Sequence, residues 1–404
     1  MSEVMNPIMT EGHILIIGNG IAGVSAAETI RKNSKTVQIT IVDKEVEPVY
    51  YKPMLSKLIA KEELPRAFYL HDEAWYEKEN IRFIRPATVT AILPQEKEVS
   101  LSDGQVLSYD RLILATGAEC FVPPINNAHL EGVFTLRTLQ DARRIKEKIT
   151  QSKNAVVIGG GLLGLELAAE IAEGGVYVSV IEMMDRLLPR QLDEKGAAIL
   201  ERAFHTDHIR VMKSAGVESI LGNEAVNGVM LKDGSRIEAD FVIISAGVRS
   251  DMSLYTQCGI RCERSIIVDA QMRTNLDAIF ACGDNACFEN ANYAIWPQAI
   301  NQGQIAGFNA LGINKEYEHF VPSTMFNGMN LRIFSIGMVN YDEEDQDYSF
   351  IVYENDGKQV YKKLIFYRDE LVGGILIGDN KKTKMLTDGI KNHLQISDLL
   401  SVFA

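Results

Sequence analysis

One unit occurs twice in this 404-residue chain, and it restricts the fold more than any other feature. Residues 14–23 read ILIIGNGIAG. There an apolar run breaks into Gly18-Asn19-Gly20-Ile21-Ala22-Gly23, a helix-like stretch continues to Lys32, and a second apolar run, 37–42, ends at Asp43. Residues 156–164 read VVIGGGLLG, with Gly159, Gly161 and Gly164 at the same spacing; a helical stretch over 165–173 follows, and the run 177–181 ends at Glu182. A lone G-x-G-x-x-G is weak evidence, whereas two copies framed by strand, helix, strand and acid are strong. The first glycine permits a tight turn, the second lets backbone N–H groups approach a pyrophosphate, and the third allows close helix–strand packing. The helix N-terminus favours negative charge, and the acid can accept hydrogen bonds from ribose hydroxyls. The chain is therefore predicted to be α/β, with two Rossmann-like dinucleotide-binding domains.

The repetition extends further along the chain. Ser102-Asp103-Gly104 reads as a turn between alternating strands, and the run 112–115 ends in Thr116-Gly117. In the second copy Lys232-Asp233-Gly234 marks a hairpin, and 242–245 ends in Ala246-Gly247. Each copy thus carries a β-meander. A short strand, 279–282, runs into Gly283-Asp284, and Trp296-Pro297 opens a helix reaching about Leu311, with Pro297 placed where a first helical turn tolerates it. This strand is predicted to return to the first domain. After Pro322 the pattern turns to strands (332–339, 348–353, 360–367, 371–377), with an acidic linker at 342–347 and one or two helices between Lys382 and Phe403. The expected domains are 1–118 with 248–321, then 119–247, then a small α+β domain over 322–404.

The charge balance, 41 basic against 54 acidic residues, argues against a nucleic-acid or anionic-membrane surface and leaves room for a local basic patch. Five cysteines, Cys120, Cys258, Cys262, Cys282 and Cys287, form no C-x-x-C pair, and an odd number suits a reducing compartment. Residues 1–13 lack a signal-peptide layout, and no apolar stretch reaches the roughly 18 residues of a membrane span. A soluble cytoplasmic protein is expected.

With LILATG, VVIGGGLLGLE, ISAGVRSD and IFACGD in this order, the chain resembles the pyridine nucleotide–disulfide oxidoreductase superfamily over nearly its whole length. The resemblance implies a glutathione-reductase-like arrangement: a discontinuous FAD-binding domain, an NAD(H)-binding domain and a C-terminal interface domain. PVYYKPMLSK, residues 48–57, looks like the segment of rubredoxin and ferredoxin reductases and of nitrite reductase flavin modules, where disulfide reductases carry redox cysteines. VPSTMFNGMNLRIFSIG and YKKLIFYRDELVGGILIGDN look most like the nitrite reductase large subunit and clostridial NADH–rubredoxin reductases. The chain ends before any iron–sulfur or sirohaem module, so it is expected to carry electrons to a partner and not to reduce nitrite itself.

The resemblance carries over residue by residue. Gly18, Gly20, Ile21, Ala22 and Gly23 take the FAD pyrophosphate turn; Asp43, or Glu45 two positions on, takes the adenosine ribose, and the sequence leaves both open. Gly283 and Asp284 fall on the ribityl side, and Lys52, Lys57, Val89, Thr116, Gly117, Arg137 and Trp296 match cofactor contacts. Lys52 replaces the commoner arginine, and Val89 reads nearly as well as a strand residue packing a core. Gly159, Gly161, Leu162, Leu163, Gly164, Glu182 and Gly247 take the NADH side. Lys57 and Glu166 are the catalytic candidates, a charged pair beside the flavin. Glu182, followed by Met183-Met184 with no cation, would repel a ribose phosphate and favours NADH over NADPH. No metal site is expected, and Cys282 and Cys287 read as structural.

The function expected is NADH oxidation through FAD, with electrons released to rubredoxin or another small iron–sulfur carrier such as a ferredoxin. The alternatives are a flavin subunit of a multi-subunit, nitrite-reductase-like iron–sulfur reductase, or an NADH-responsive scaffold with little turnover. An NADH oxidase is disfavoured, because its relatives use a cysteine within the segment here filled by 50–57. The acceptor and the oligomeric state, homodimer included, are not encoded in any motif.

Overall fold

Five parallel strands lie in the order Ile279–Ala281, Arg111–Leu114, His13–Ile17, Gln38–Val42 and Ile81–Ile84. The computed structural model describes residues 8–60, 63–318, 320–342 and 344–399. Apolar runs fill the central strands of this sheet, as expected where both faces are covered; Ile14, Leu15, Ile16, Leu112, Ile113 and Leu114 are wholly buried. Helix Ile21–Asn33 packs against helix Trp296–Ala310 through small residues. A Cβ on Gly303 would lie 2.2 Å from the Ala22 carbonyl oxygen, and one on Gly307 2.7 Å from that of Ala26. A three-stranded antiparallel sheet, Val89–Leu93, Glu98–Leu101 and Val106–Ser108, has its last hairpin at the expected Ser102-Asp103-Gly104 turn.

The second parallel sheet repeats the design in the order Ile209–Met212, Tyr177–Ile181, Asn154–Ile158, Phe241–Ile244 and Val133–Phe134. Its glycine turn leads into helix Leu162–Glu173, which starts one turn earlier than the sequence reading of 165 because Leu162 and Leu163 already have helical backbone. An antiparallel meander, Val217–Gly222, Val226–Leu231 and Arg236–Glu238, accompanies it.

The C-terminal strands form a five-stranded antiparallel sheet in the order Ser323–Gly328, Leu331–Gly337, Glu370–Ile377, Val360–Tyr367 and Tyr348–Asn355, followed by helices Thr383–Lys391 and Ile396–Leu399. Phe403 lies outside the described residues. Ser323–Gly328 was not expected from sequence as a strand. It is a sheet edge with Met325 exposed and Phe326 buried.

By packing, the chain divides into two units, one formed by the residues up to Met54, Leu64–Glu119 and Val248–Phe320, the other by Leu55–Glu63, Cys120–Gly247 and the chain from Val321 onward. The short helix Leu55–Leu58 belongs to the second unit, where it rests on helices Leu139–Ile149 and Leu162–Glu173. The C-terminal sheet shares that unit with the second nucleotide fold; Phe204 meets Phe326 at 6.0 Å between ring centroids. Among the described residues no helix is long and apolar enough to cross a membrane.

Candidate functional site

Both glycine turns obey one steric rule. Gly18 has φ +110°, and a Cβ there would lie 2.2 Å from the Ala115 carbonyl oxygen; one on Gly23 would lie 2.0 Å from that of Gly18. In the second turn Gly159, at φ +118°, would meet Ser245 O at 2.3 Å, and Gly164 would meet Gly159 O at 2.1 Å. Outer glycines are therefore demanded by the fold itself. The middle ones are not, since a Cβ on Gly20 or Gly161 meets nothing within 4 Å.

The middle glycines open space at the start of a helix. Gly20 and Gly161 are the N-caps of Ile21–Asn33 and Leu162–Glu173, and neither helix has a side-chain cap or an acid in its first turn. Free N–H groups and open space together accept an anion, and a dinucleotide pyrophosphate fits both turns.

The acids closing the second strands are also equivalent. Asp43 follows Val42, which is in register with Ile17, as Glu182 follows Ile181, in register with Ile158. Asp43 accepts from the backbone N–H of Asn19, and from that of Glu45 at 2.7 Å. Glu182 accepts from Gly160 N at 2.6 Å and Met184 N at 2.7 Å. Each carboxylate thus staples the middle of its glycine turn to the strand end. Each oxygen keeps a second lone pair, so the staple leaves acceptor capacity for a ribose. Burial raises the Asp43 carboxyl above its ordinary range, and the two N–H donors oppose that rise.

Glu45 is engaged differently. Its carboxylate accepts from Tyr50 Oη at 2.6 Å and Lys52 Nζ at 2.5 Å, which also fixes Lys52 in an ion pair. Trp296 stands edge-on to Tyr51 at 5.0 Å between centroids, and half-buried Val89 packs on the core of the first unit. Gly117 takes φ +70° and Gly283 φ +83°. A residue that no sequence motif marks joins this region. Asn285 is fully buried, accepts from Gly117 N at 3.3 Å and donates to Leu114 O at 3.1 Å. Ser250 Oγ ties Gly117 O, at 2.9 Å, to Asp284 O, at 3.1 Å. Thr116 shares a hydrogen bond with the hydroxyl of Tyr255. Asn19, also buried, accepts from Tyr76 Oη at 2.9 Å. The signals were Asn residues inside turns, where they commonly bond to backbone.

The remaining candidates, Lys57, Arg137, Glu166 and Gly247, lie in the second unit. Glu166 is half-buried in the second turn of Leu162–Glu173 and accepts from Ser56 Oγ at 2.8 Å. Burial raises its carboxyl, opposed by the Ser56 bond and by the charge of Lys57. Lys57 therefore acts on Glu166 through its field, and the direct contact expected of the pair is made by its neighbour Ser56. Gly247 has φ +92°, with open space where a Cβ would stand. Arg137 precedes the capping box of helix Leu139–Ile149, where Thr138 and Asp141 bond reciprocally.

All five cysteines are free thiols, and burial is the largest cause raising each of them. Cys282 is pushed to about 12 and Cys262 to about 11. Thiols so protonated are poor nucleophiles at neutral pH.

Residues 12–303 match the family described as pyridine nucleotide-disulphide oxidoreductase, and 322–394 match the rubredoxin NAD+ reductase C-terminal domain. The chain is 34% identical over 392 residues to nitrite reductase [NAD(P)H] of Bacillus subtilis, covering 96% of this chain and 48% of that protein, so it spans about half the length of that relative. It is 30% identical over 394 residues to NADH-rubredoxin oxidoreductase of Clostridium acetobutylicum, covering 97% and 98%. Its structure is similar to the reductase of the covalent putidaredoxin reductase–putidaredoxin complex, with TM-score 0.86 and 25% identity over 96% of this chain and 95% of that one.

Proposed function

The chain belongs to the pyridine nucleotide-disulphide oxidoreductase family, flavoproteins that use NAD(P)H, and we propose that it oxidises NADH through FAD and passes the electrons to rubredoxin or a similar small iron–sulfur carrier. The observation that carries this reading is the pair of uncapped helix starts, each with an open middle glycine and a stapled acid, in a chain whose last domain is of the rubredoxin reductase type. Bound FAD would supply the conversion of a two-electron hydride into single electrons.

The chain's own residues bind and orient. The turn at Gly20 holds the FAD pyrophosphate. Asp43 takes the FAD ribose as the register equivalent of Glu182, while Glu45 holds Tyr50 and Lys52. Asn285 and Ser250 hold the Thr116-Gly117 and Gly283-Asp284 turns in place on the ribityl side. The turn at Gly161 holds the NADH pyrophosphate, and Glu182 takes its ribose. Lys57 and Glu166 set the charge near the transferring hydride.

Coenzyme choice follows from Glu182, a carboxylate with no neighbouring cation in Met183-Met184. The kcat/KM ratio for NADH over NADPH should exceed about ten, or ~1.4 kcal/mol of discrimination. Glu182→Ala should shrink it, and a wild-type preference for NADPH would refute the role.

The reading is tested by anaerobic stopped-flow reoxidation of the NADH-reduced protein with rubredoxin, ferredoxin, flavodoxin and oxygen in turn. Rubredoxin should be fastest. A variant with all five cysteines replaced by serine or alanine should keep most of its turnover at full FAD content, since every thiol is held protonated. Loss of activity there, or a second two-electron equivalent in an NADH titration, means a redox thiol takes part. A second reading rests on the nitrite reductase of about twice this length: a flavin subunit feeding an iron–sulfur reductase. Slow reoxidation by every free carrier, with fast transfer to a co-purifying iron–sulfur subunit, favours it.

A further inference from the structure

Two opposite charges lie near each other in the second unit without joining. Glu166, half-buried in the second turn of helix Leu162–Glu173, accepts from Ser56 Oγ at 2.8 Å. Lys57, the next residue, makes no hydrogen bond or ion pair among the described residues, yet its charge reaches Glu166 and favours the carboxylate. Opposite charges attract more strongly where water is partly excluded, so an unjoined pair needs a cause.

The short helix Leu55–Leu58 supplies it. Leu55, Leu58 and Ile59 are buried and set which side of this segment faces helices Leu139–Ile149 and Leu162–Glu173. Ser56 falls on that side, 1% exposed, whereas Lys57 is left half-buried. Adjacent residues of a helix do not face the same way, so the segment can aim Ser56 or Lys57 at one carboxylate but not both. Serine has little side-chain freedom to lose in making the bond, and lysine has much more. Closing the pair would also take two ions out of water in place of one. The hydroxyl therefore holds the carboxylate, and the ammonium stays open.

The separation has a chemical use. Passage of hydride breaks a C–H bond of NADH and carries its hydrogen, with both bonding electrons, to FAD. The donor side becomes more positive and the acceptor side more negative. A carboxylate and an ammonium held apart offer a charge to each change and need no reorganisation as the transfer occurs, whereas a closed ion pair offers little field to either. We propose, given the placement of Lys57 and Glu166 near the transferring hydride stated above, that Ser56 is a positioning residue whose hydroxyl keeps the Glu166 carboxylate apart from the Lys57 ammonium, so that both act on the transfer.

Burial, the Ser56 bond and the Lys57 charge together set the Glu166 carboxyl. Of the strands packed most closely on its helix, Asn154–Ile158 and Ser323–Gly328 carry no ionisable side chain, and Tyr177 and Arg210, on Tyr177–Ile181 and Ile209–Met212, are exposed. Glu170 stands one turn along the helix itself.

The test is infrared pH titration of the FAD-loaded, oxidised protein, following the carboxyl band that Glu166→Gln removes. A hydroxyl bonds a carboxylate more strongly than a neutral carboxyl, so Ser56→Ala should move the midpoint of that band up by about one pH unit or more. In anaerobic stopped flow the same variant should reduce FAD at least about threefold more slowly at saturating NADH, with KM for NADH unchanged. Added to Glu166→Gln, it should slow that variant no further. A band that stays in place, or a loss from Ser56→Ala that is as large in the Glu166→Gln background, overturns the proposal. The band is read without NADH, so failure of the coenzyme assignment is distinguishable. A band that moves while Ser56→Ala and Glu166→Gln both reduce at the wild-type rate supports the hold of Ser56 on Glu166 and overturns the placement of that carboxylate near the hydride.

Discussion

Gly20→Val should purify as a folded protein without FAD, whereas Gly23→Val should not fold. The two glycines are three positions apart in one turn, yet a side chain meets opposite conditions at them. At Gly23 the new Cβ would sit 2.0 Å from the Gly18 carbonyl oxygen, with the Ile16 side chain at 3.2 Å. Backbone cannot yield there without breaking the strand–helix junction, and overpacking of this kind costs about 3 kcal/mol or more. At Gly20 nothing in the protein lies within 4 Å, and its φ of −71° suits any residue. Stability should change little, while the branched side chain fills the space a pyrophosphate needs. Visible flavin absorbance per mole should fall below about a tenth of wild type, at least ~1.4 kcal/mol of binding. Gly161→Val is the counterpart: it should retain FAD and lose reduction by NADH. Full FAD in Gly20→Val, or loss of FAD or wild-type reduction by NADH in Gly161→Val, sinks the assignment of the two turns.

That contrast also explains what could be read from sequence. Gly23 and Gly164 are demanded by a carbonyl five positions back, and Gly18 and Gly159 by the end of the strand beside them in the sheet, so all four keep a recognisable spacing within the turn. The equivalence of Asp43 to Glu182 was not legible against the nearby Glu45, because it depends on register: Val42 lies opposite Ile17 as Ile181 lies opposite Ile158. Asn285 was invisible for a related reason. Its two backbone partners, Gly117 and Leu114, are remote in sequence and meet it only once strand Ile279–Ala281 has joined the sheet. Strand Ser323–Gly328 escaped because Met329 and Asn330, both at positive φ, make a tight hairpin turn, and methionine is not a residue that advertises one. Nor does the pattern of Leu55–Leu58 reveal that this helix packs in the second unit, beside Glu166. Steric demands on the glycine turns left marks in the sequence; long-range hydrogen bonds and register did not.

Asp193→Ala should lower the melting temperature by roughly 10 °C or more, from a loss of about 3–5 kcal/mol. Asp193 caps helix Glu194–Phe204, accepting from Gly196 N at 2.9 Å, and at the same time accepts from Tyr361 Oη at 2.6 Å and Lys363 Nζ at 2.9 Å on the C-terminal sheet. The ion pair is largely buried, with side chains 12% and 14% exposed. Alanine removes the cap, worth about 1 kcal/mol, and leaves a largely buried ammonium with Tyr341 Oη, at 2.6 Å, as its one acceptor among the described residues. Asp193→Asn keeps one acceptor, enough for the cap, but turns an amide donor toward Tyr361 and Lys363 and removes the charge, so it should recover only the cap's share of the loss. The pH dependence separates this account from a simple packing defect. Burial alone would raise the Asp193 carboxyl, but the bonds from Tyr361, Lys363 and Gly196 hold it below the ordinary carboxylate range. Around pH 4 the unfolded chain therefore binds a proton that the native chain does not. The contribution of Asp193 is complete above the unfolded value of about 4 and is lost as pH falls through the lower native value. The gap in stability between wild type and Asp193→Ala should be full at pH 7 and shrink below pH ~4, measured by denaturant unfolding with FAD saturating. A gap that stays constant through that range would mean that the carboxylate charge does not hold the helix to the sheet.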